Sequence, residues 1–162
     1  MKSFLKRNLP WLLLFVLLWS GIRFWQQADM AEGPLPVHSL PTLAGTTLDF
    51  TALDKPLLLH FTASWCPICQ LQHGTMQALS QRWTVVQIIT QSGDRPAMIA
   101  YAEEHGIPLD RAIPDPDGQI LKIFGANAVP ADFFVGHDNS ISFHEMGYTT
   151  RLGYEIRLML SR

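Results

Sequence analysis

The sequence predicts a single α/β domain, a mixed sheet with helices on both faces, behind an N-terminal membrane segment. Near-continuous apolar runs, typical of buried strands, alternate with segments of helical period, and a strand–turn–strand pattern closed by a helix follows. A basic head followed by an apolar run predicts the membrane segment. The length of 162 residues fits one domain plus a short addition, and the net charge of −2 gives no reason to expect nucleic acid as a partner.

The N-terminus has the pattern of a signal anchor. Residues 1–9 carry Lys2, Lys6 and Arg7, and residues 10–25 follow, a mainly apolar stretch interrupted by a single charged residue, Arg23, near its end. This apolar run is near the minimum for a span, and we interpret it as a transmembrane helix. Because basic residues stay on the cytoplasmic side, residues 1–9 are expected there and the rest of the chain is expected outside, which in a bacterium is the periplasm.

The residues after the predicted anchor connect it to the domain. Residues 26–32 contain no convincing small-x-small cleavage motif, so an uncleaved anchor is favoured over a removed signal peptide. Gly33, Pro34 and Pro36 indicate a tether over residues 26–36, and the domain is expected to occupy residues 37–162.

The elements of the domain follow from local patterns. Residues 56–61 (PLLLHF) form an apolar run of the kind found in strands that are buried on both faces, and helical period begins at residue 67. The predicted elements are two short strands in 37–50 about Gly45, a strand at 56–61, a helix at 67–82, a strand at 85–89, a helix at 96–105, a turn at 114–118, a helix at 119–124, strands at 132–135 and 141–146, and a helix at 151–160.

The only two cysteines lie where a predicted strand gives way to a predicted helix. At Cys66 the free N–H groups and partial positive charge of the helix start would stabilise a thiolate and lower its pKa. Cys69 follows on the same side of the helix and can close a small disulfide with Cys66 or resolve a mixed disulfide. Pro67 can begin the helix without strain, and Trp65 can shield one side of the sulfur. The pattern predicts a redox-active dithiol with Cys66 as the nucleophile.

Other functions of the two cysteines are less well supported by the sequence. A structural disulfide would close too small a loop to constrain the unfolded chain. Haem attachment is excluded because Gln70, not histidine, follows Cys69. A metal site remains open, since Cys66, Cys69 and His73 could face one ion, and a copper or zinc chaperone without turnover is therefore the alternative function.

Two segments of this sequence resemble thioredoxin-fold proteins. FTASWCPIC after an apolar strand resembles their active-site segment, and NAVPADFFV, whose proline comes 64 residues after Cys66, resembles their cis-proline loop. The resemblance implies a thioredoxin fold with an N-terminal β-hairpin, a loop of Val129 and Pro130 against the cysteines, and no cofactor beyond the Cys66–Cys69 disulfide. The substrate-binding residues that it implies are Trp65, Pro67, Ile68, Val129 and Pro130.

A finer resemblance concerns the subgroup. The anchor, the leading hairpin and the insert ending in DPDG resemble membrane-tethered bacterial thioredoxins that serve cytochrome c maturation. GPLP before the domain and the ending GYTTRLGYEIRLML are similar to the thioredoxin-like membrane protein of the suppressor-of-copper-sensitivity group. This implies a periplasmic oxidoreductase that exchanges disulfides with proteins, mainly in the reducing direction, with a membrane electron donor as a partner and a link to copper tolerance.

Three positions depart from the pattern of thioredoxin-fold proteins. Thr62 replaces a common aromatic residue, and Gly74 replaces a common helix-kinking proline. His60 stands where thioredoxins often hold a buried acid near the second sulfur. A neutral imidazole there could accept a proton during exchange, and the alternative is a core histidine whose hydrogen bonds are satisfied.

Overall fold

The computed structural model describes residues 8–12, 14–18, 21 and 29–161. Its first two described segments are helical. Among these described residues, no helix is both long enough and apolar enough to span a bilayer. The expected transmembrane anchor at 10–25 lies partly outside the described residues, as does most of the basic head, and the anchor stays a prediction.

Eight strands and four α-helices make up the domain described from residue 29 onward. The strands are β1 (Gly33–Pro34), β2 (Ser39–Pro41), β3 (Thr47–Asp49), β4 (Leu57–Thr62), β5 (Thr84–Thr90), β6 (Ala112–Asp115), β7 (Ala131–Val135) and β8 (Ser140–Met146). The helices are α1 (Pro67–Ser80), α2 (Arg95–Glu104), α3 (Gln119–Ile123) and α4 (Arg151–Leu160), with a 3₁₀ turn at Phe50–Ala52.

Six of the strands form one mixed sheet in the order β1-β8-β7-β4-β5-β6. Strands β4, β5 and β6 are parallel, whereas β7 runs antiparallel to β4, and β8 to β7. Strands β2 and β3 pair separately as an antiparallel hairpin in which Leu40 lies opposite Leu48. The predicted mixed α/β architecture is confirmed.

Strand β4 is buried along its whole length because helices cover both faces of the sheet. Side chains alternate between the faces. Leu57, Leu59 and Phe61 contribute to a core cluster that includes Phe124, next to α3. Leu58 contributes to the opposite cluster, whose other members lie on or beside β5, β7, α1 and α4: Met76, Leu79, Val85, Phe134, Tyr154 and Leu158. His60 and Thr62 share the face of Leu58, so they lie beneath the helix that carries the cysteines.

Most of the expected tether is part of the packed domain. Met30 and Leu35 are each only 4% exposed and belong to the core cluster of Phe61. The backbone N–H of Ala31 donates to the Phe124 carbonyl at 2.9 Å, and β1 pairs with β8. Of residues 26–36, those from Met30 onward therefore belong to the fold.

The predicted turn at 114–118 begins too early. Ala112–Asp115 form the edge strand β6, and the turn follows it. Pro114 is compatible with a strand at the edge of a sheet, because it has no N–H to donate to a further neighbour. Asp115 is buried and accepts from the Thr90 hydroxyl at 2.9 Å and from the Leu121 backbone N–H at 3.1 Å, so this carboxylate fixes the start of α3.

Candidate active site

The two cysteines form a disulfide at the start of α1. Cys66 is the N-cap residue, with extended backbone angles of φ −94° and ψ 107°, and its Sγ accepts the backbone N–H of Cys69 at 3.2 Å. The Cα atoms lie 5.3 Å apart. Cys66 is 4% exposed and Cys69 is fully buried. An external sulfur can therefore approach Cys66, whereas Cys69 can act only from inside the protein.

The loop of Val129 and Pro130 lies against Cys66. The peptide bond between these two residues is cis. The carbonyl oxygen of Val129 is 3.7 Å from Cys66 Sγ, and the Val129 side chain packs against the cluster formed by Ala63 and the two cysteines. The structure thus brings together the two segments that the sequence singled out.

The remaining residues of the predicted substrate surface surround Cys66 and are exposed. Trp65 is 58% exposed, and its indole N–H donates to the Gln91 carbonyl at 3.0 Å. Pro67 is exposed in the first turn of α1, and Ile68 beside it is 44% exposed. All of these side chains are available to a molecule that approaches the sulfur of Cys66.

His60 is fully buried in β4 and pairs with an acid on β7. Its Nδ1 donates to Asp132 Oδ1 at 2.7 Å, and Asp132 is also fully buried and lies directly opposite in the strand register. His60 Nε2 is buried and has no hydrogen-bond partner within the described part of the chain. With the proton on Nδ1, the bare Nε2 is a proton acceptor in the interior.

Asp132 connects His60 to the cysteine-bearing helix. The hydroxyl of Tyr154 donates to Asp132 Oδ2 at 2.7 Å, and Gln72 Nε2 donates to that hydroxyl at 3.0 Å. Gln72 lies one turn after Cys69. Burial, and next the Asp132 carboxylate, raise the pKa of Tyr154, so its hydroxyl remains a donor. The roles of Asp132, Tyr154 and Gln72 were not predicted from the sequence, although an acid at the start of the apolar run ADFFV is a signal that could have indicated the first of them.

His73 does not combine with the cysteines to form a metal site. Its Nε2 lies 3.0 Å from the Tyr101 hydroxyl, which in turn lies 3.1 Å from the hydroxyl of Thr62. Burial, and then the neighbouring imidazoles of His105 and His60, lower the pKa of His73 to about 4. Among the described residues, no group of three or more His, Cys, Asp or Glu side chains is placed to hold a metal ion. The alternative of a metal chaperone is therefore not favoured.

Comparisons with known proteins agree with this geometry. The AhpC/TSA family matches residues 32–144, which is more than half of the chain. The chain is 26% identical over 153 residues to the thiol:disulfide interchange protein DsbE of Escherichia coli (strain K12), covering 84% of this chain and 82% of that protein. It is 28% identical over 130 residues to the DsbE protein of Pseudomonas fluorescens biotype C, covering 76% and 72% of the two chains.

Solved structures show the same fold. MTB dsbF, in mixed oxidised and reduced forms, has a TM-score of 0.69 and 25% identity, covering 80% of this chain and 98% of that chain. A secreted Mycobacterium tuberculosis disulfide oxidoreductase homologous to E. coli DsbE has a TM-score of 0.62 and 23% identity, covering 75% and 94%. The resemblance to thioredoxin-fold proteins is confirmed, and the chain belongs to the AhpC/TSA family, with a thioredoxin-like α/β fold.

Proposed function

We propose that this protein is a membrane-tethered periplasmic thiol–disulfide oxidoreductase that exchanges disulfides with protein substrates through Cys66 and Cys69. The class of disulfide oxidoreductase is also that of its DsbE relatives. The observation that carries the proposal is the placement of Cys66: the less buried of the two cysteines (4% exposed), at a helix start, with its sulfur held by the Cys69 N–H at 3.2 Å and beside the Val129 carbonyl.

The reaction needs only the two sulfurs and a proton acceptor. In the reducing direction, the Cys66 thiolate attacks a substrate disulfide, a bond forms to one substrate sulfur, and the other leaves as a thiolate. Cys69 then loses its proton and attacks Cys66. The mixed disulfide breaks, the second substrate thiolate leaves, and the Cys66–Cys69 disulfide forms. Two electrons have passed from the enzyme dithiol to the substrate, and the substrate thiolates take up protons.

His60 is proposed as the group that takes the proton of Cys69. It lies on the face of β4 beneath α1, and its Nε2 is buried without a partner in the described residues, while Asp132 holds Nδ1. A carboxylate that accepts from one ring nitrogen fixes the tautomer in which the other nitrogen is a base. His60→Leu is expected to slow resolution of the mixed disulfide. A resolution rate equal to that of the unmodified protein from pH 6 to 8 would rule out this role.

The cellular setting is proposed from the sequence. An apolar N-terminus behind a basic head supports tethering with the domain in the periplasm. Because that compartment is oxidising, a reductase there needs a donor of electrons, and a membrane protein that carries them from the cytoplasm fits a tethered domain. The segments GPLP and GYTTRLGYEIRLML support membership of the suppressor-of-copper-sensitivity group, and so a role in copper tolerance.

Two measurements on the full-length protein test the proposal. Cys69→Ser is expected to trap a mixed disulfide between Cys66 and a protein substrate, and Cys66→Ser is expected to trap none. Equilibration with glutathione buffers, followed by tryptophan fluorescence, gives the reduction potential. A value well below that of the oxidant DsbA, at about −120 mV, supports the reducing direction, whereas a value near it contradicts that direction.

A further inference from the structure

A cleft lies at the end of α1 that is remote from the cysteines. It is bounded by the last turn of α1, the first half of β5 and the loop that leads into β6, and its volume is about 210 Å³. Ser80, the last residue of α1, lines the cleft, and α1 has 14 residues, so the cleft lies roughly 20 Å along the helix from Cys66. It is therefore separate from the active site.

Two residues that line the cleft have buried polar atoms without a partner. Gln87 on β5 is 5% exposed, and its Oε1 accepts no hydrogen bond from the described residues. Arg111, just before β6, has a buried Nη1 that donates to none of them. These two atoms therefore do not bond to each other, although their side chains line the same space. Because buried polar groups are nearly always hydrogen-bonded, an open acceptor and an open donor in one cleft indicate a bound molecule.

The charges at the cleft favour an anion. Within the described part of the chain, none of the ion pairs includes Arg111, and Asp110 beside it is exposed to solvent. A second cleft shares three lining residues with the first, and its charged lining residues are two cations and one acid: Lys55, Arg82 and Asp54. A guanidinium matches the planar shape of a carboxylate and binds it more strongly than it binds a neutral acceptor.

The remaining walls of the cleft are largely apolar. Val85 and Ile107, 7% and 4% exposed, belong to the two hydrophobic clusters on this face of the sheet. Trp83 and Pro108 add two flat rings to the lining. Apolar walls around a few placed polar groups are typical of small-molecule sites, which measure about 300–1,000 Å³ for drug-sized ligands. This smaller cleft suits a molecule of about one ring with two polar substituents.

We propose that this cleft is a binding site for a small aromatic carboxylic acid that also carries a hydroxyl group. The carboxylate accepts from Arg111 Nη1, and the hydroxyl donates to Gln87 Oε1. The ring packs against Trp83 and the apolar walls. Water alone would satisfy the two polar atoms, but it offers no negative charge to Arg111 and no apolar contact to the walls. This binding function goes beyond disulfide exchange and does not depend on it.

The test is isothermal titration calorimetry of the full-length, oxidised protein in detergent, with 3- and 4-hydroxybenzoate as probes. At least one of them is expected to bind saturably with a Kd below about 1 mM. Benzoate lacks the donor and 4-hydroxybenzamide lacks the charge, so each should bind at least about tenfold more weakly than the better hydroxybenzoate. Absence of saturable binding at millimolar concentrations would mean that the cleft holds only water, and it would overturn the proposal. Equal binding of benzoate would overturn it too.

Variants assign the binding to the cleft. Arg111→Met keeps the apolar stem without the charge and should weaken hydroxybenzoate binding at least about tenfold. Gln87→Leu removes the acceptor, so the preference for hydroxybenzoate over benzoate should disappear while benzoate affinity changes less than about twofold. Lys122→Met is the control, because it removes the same charge from an exposed position on α3, on the opposite side of the sheet. Hydroxybenzoate binding that neither cleft variant weakens would place the ligand elsewhere and overturn the proposal.

Discussion

Replacing Asp132 tests whether the buried pair with His60 supports both the fold and the exchange reaction. This carboxylate accepts from His60 Nδ1 and from the Tyr154 hydroxyl, both at 2.7 Å. Asp132→Ala leaves both donors buried without an acceptor. Asp132→Asn keeps the shape of the side chain. Its amide oxygen can accept from one of the two donors, but its amide nitrogen cannot accept from the other.

The expected cost follows from these two bonds. A hydrogen bond to a charged group contributes about 1.5–3 kcal/mol, and breaking a buried pair by removing one partner costs about 3–5 kcal/mol. We therefore expect Asp132→Ala to lower the free energy of unfolding by about 3–5 kcal/mol, and Asp132→Asn by about half as much. Urea unfolding of the oxidised protein, followed by tryptophan fluorescence, measures both. A loss below about 1 kcal/mol for Asp132→Ala would contradict the reasoning.

The effect of replacing Asp132 on the rate of disulfide exchange needs a control at a second buried aspartate with similar hydrogen bonds. Asp115 is also buried and accepts from a hydroxyl and from backbone N–H groups, but it lies at the start of α3. Asp115→Asn should destabilise the protein without changing the resolution of the mixed disulfide. Asp132→Asn should slow that step at least about tenfold, because the tautomer of His60 is no longer fixed. Equal rates for the two variants would show that Asp132 is only structural.

Further predictions concern two glycine positions, one that packs against the N-terminal segment and one on α1, and the stability of the protein in acid. Gly125→Ala should destabilise the protein by several kcal/mol, about 3 or more, because Gly125 has φ +71° and an added Cβ would lie 1.7 Å from the Asp29 carbonyl oxygen. Gly74→Ala, where a Cβ meets nothing within 4 Å, should instead stabilise α1 by about 0.5–1 kcal/mol in the same unfolding assay. Because the pKa of His73 is lowered to about 4, the unfolded chain binds more protons between pH 6.5 and 4, and stability should fall as the pH falls through that window. His73→Gln should remove part of this fall, about 1–2 kcal/mol since His73 is only partly buried, and an unchanged pH profile of unfolding would contradict that assignment.

The dithiol and its loop could be predicted because their signals are local. A strand followed by Cys66, Pro67 and Cys69 specifies a helix start that holds two sulfurs, and a proline before an apolar strand marks the loop. The hydrogen-bonded network could not be predicted in this way. Its members are brought together by strand register and helix packing, with His60 and Asp132 72 residues apart and Gln72 and Tyr154 82 apart.

The short edge strands β6 and β1 could not be predicted from sequence patterns either. Strand β6 contains Pro114 and Asp115, which are typical of turns, and it is a strand only because β5 lies beside it. Strand β1 contains Gly33 and Pro34, and it is held by β8 and by the burial of Met30. In both cases, tertiary pairing overrides a local preference for turns.

The assignment of Cys66 as the nucleophile is tested most directly by the pH dependence of alkylation of the reduced, full-length protein by iodoacetamide, with Cys69→Ser used to observe Cys66 alone. We expect Cys66 to reach half of its maximal rate of alkylation at least one pH unit below the value of about 8.5 for free cysteine, because the start of α1 stabilises its thiolate. Half-maximal reaction at or above about 8.5 would contradict the assignment of Cys66 as the nucleophile.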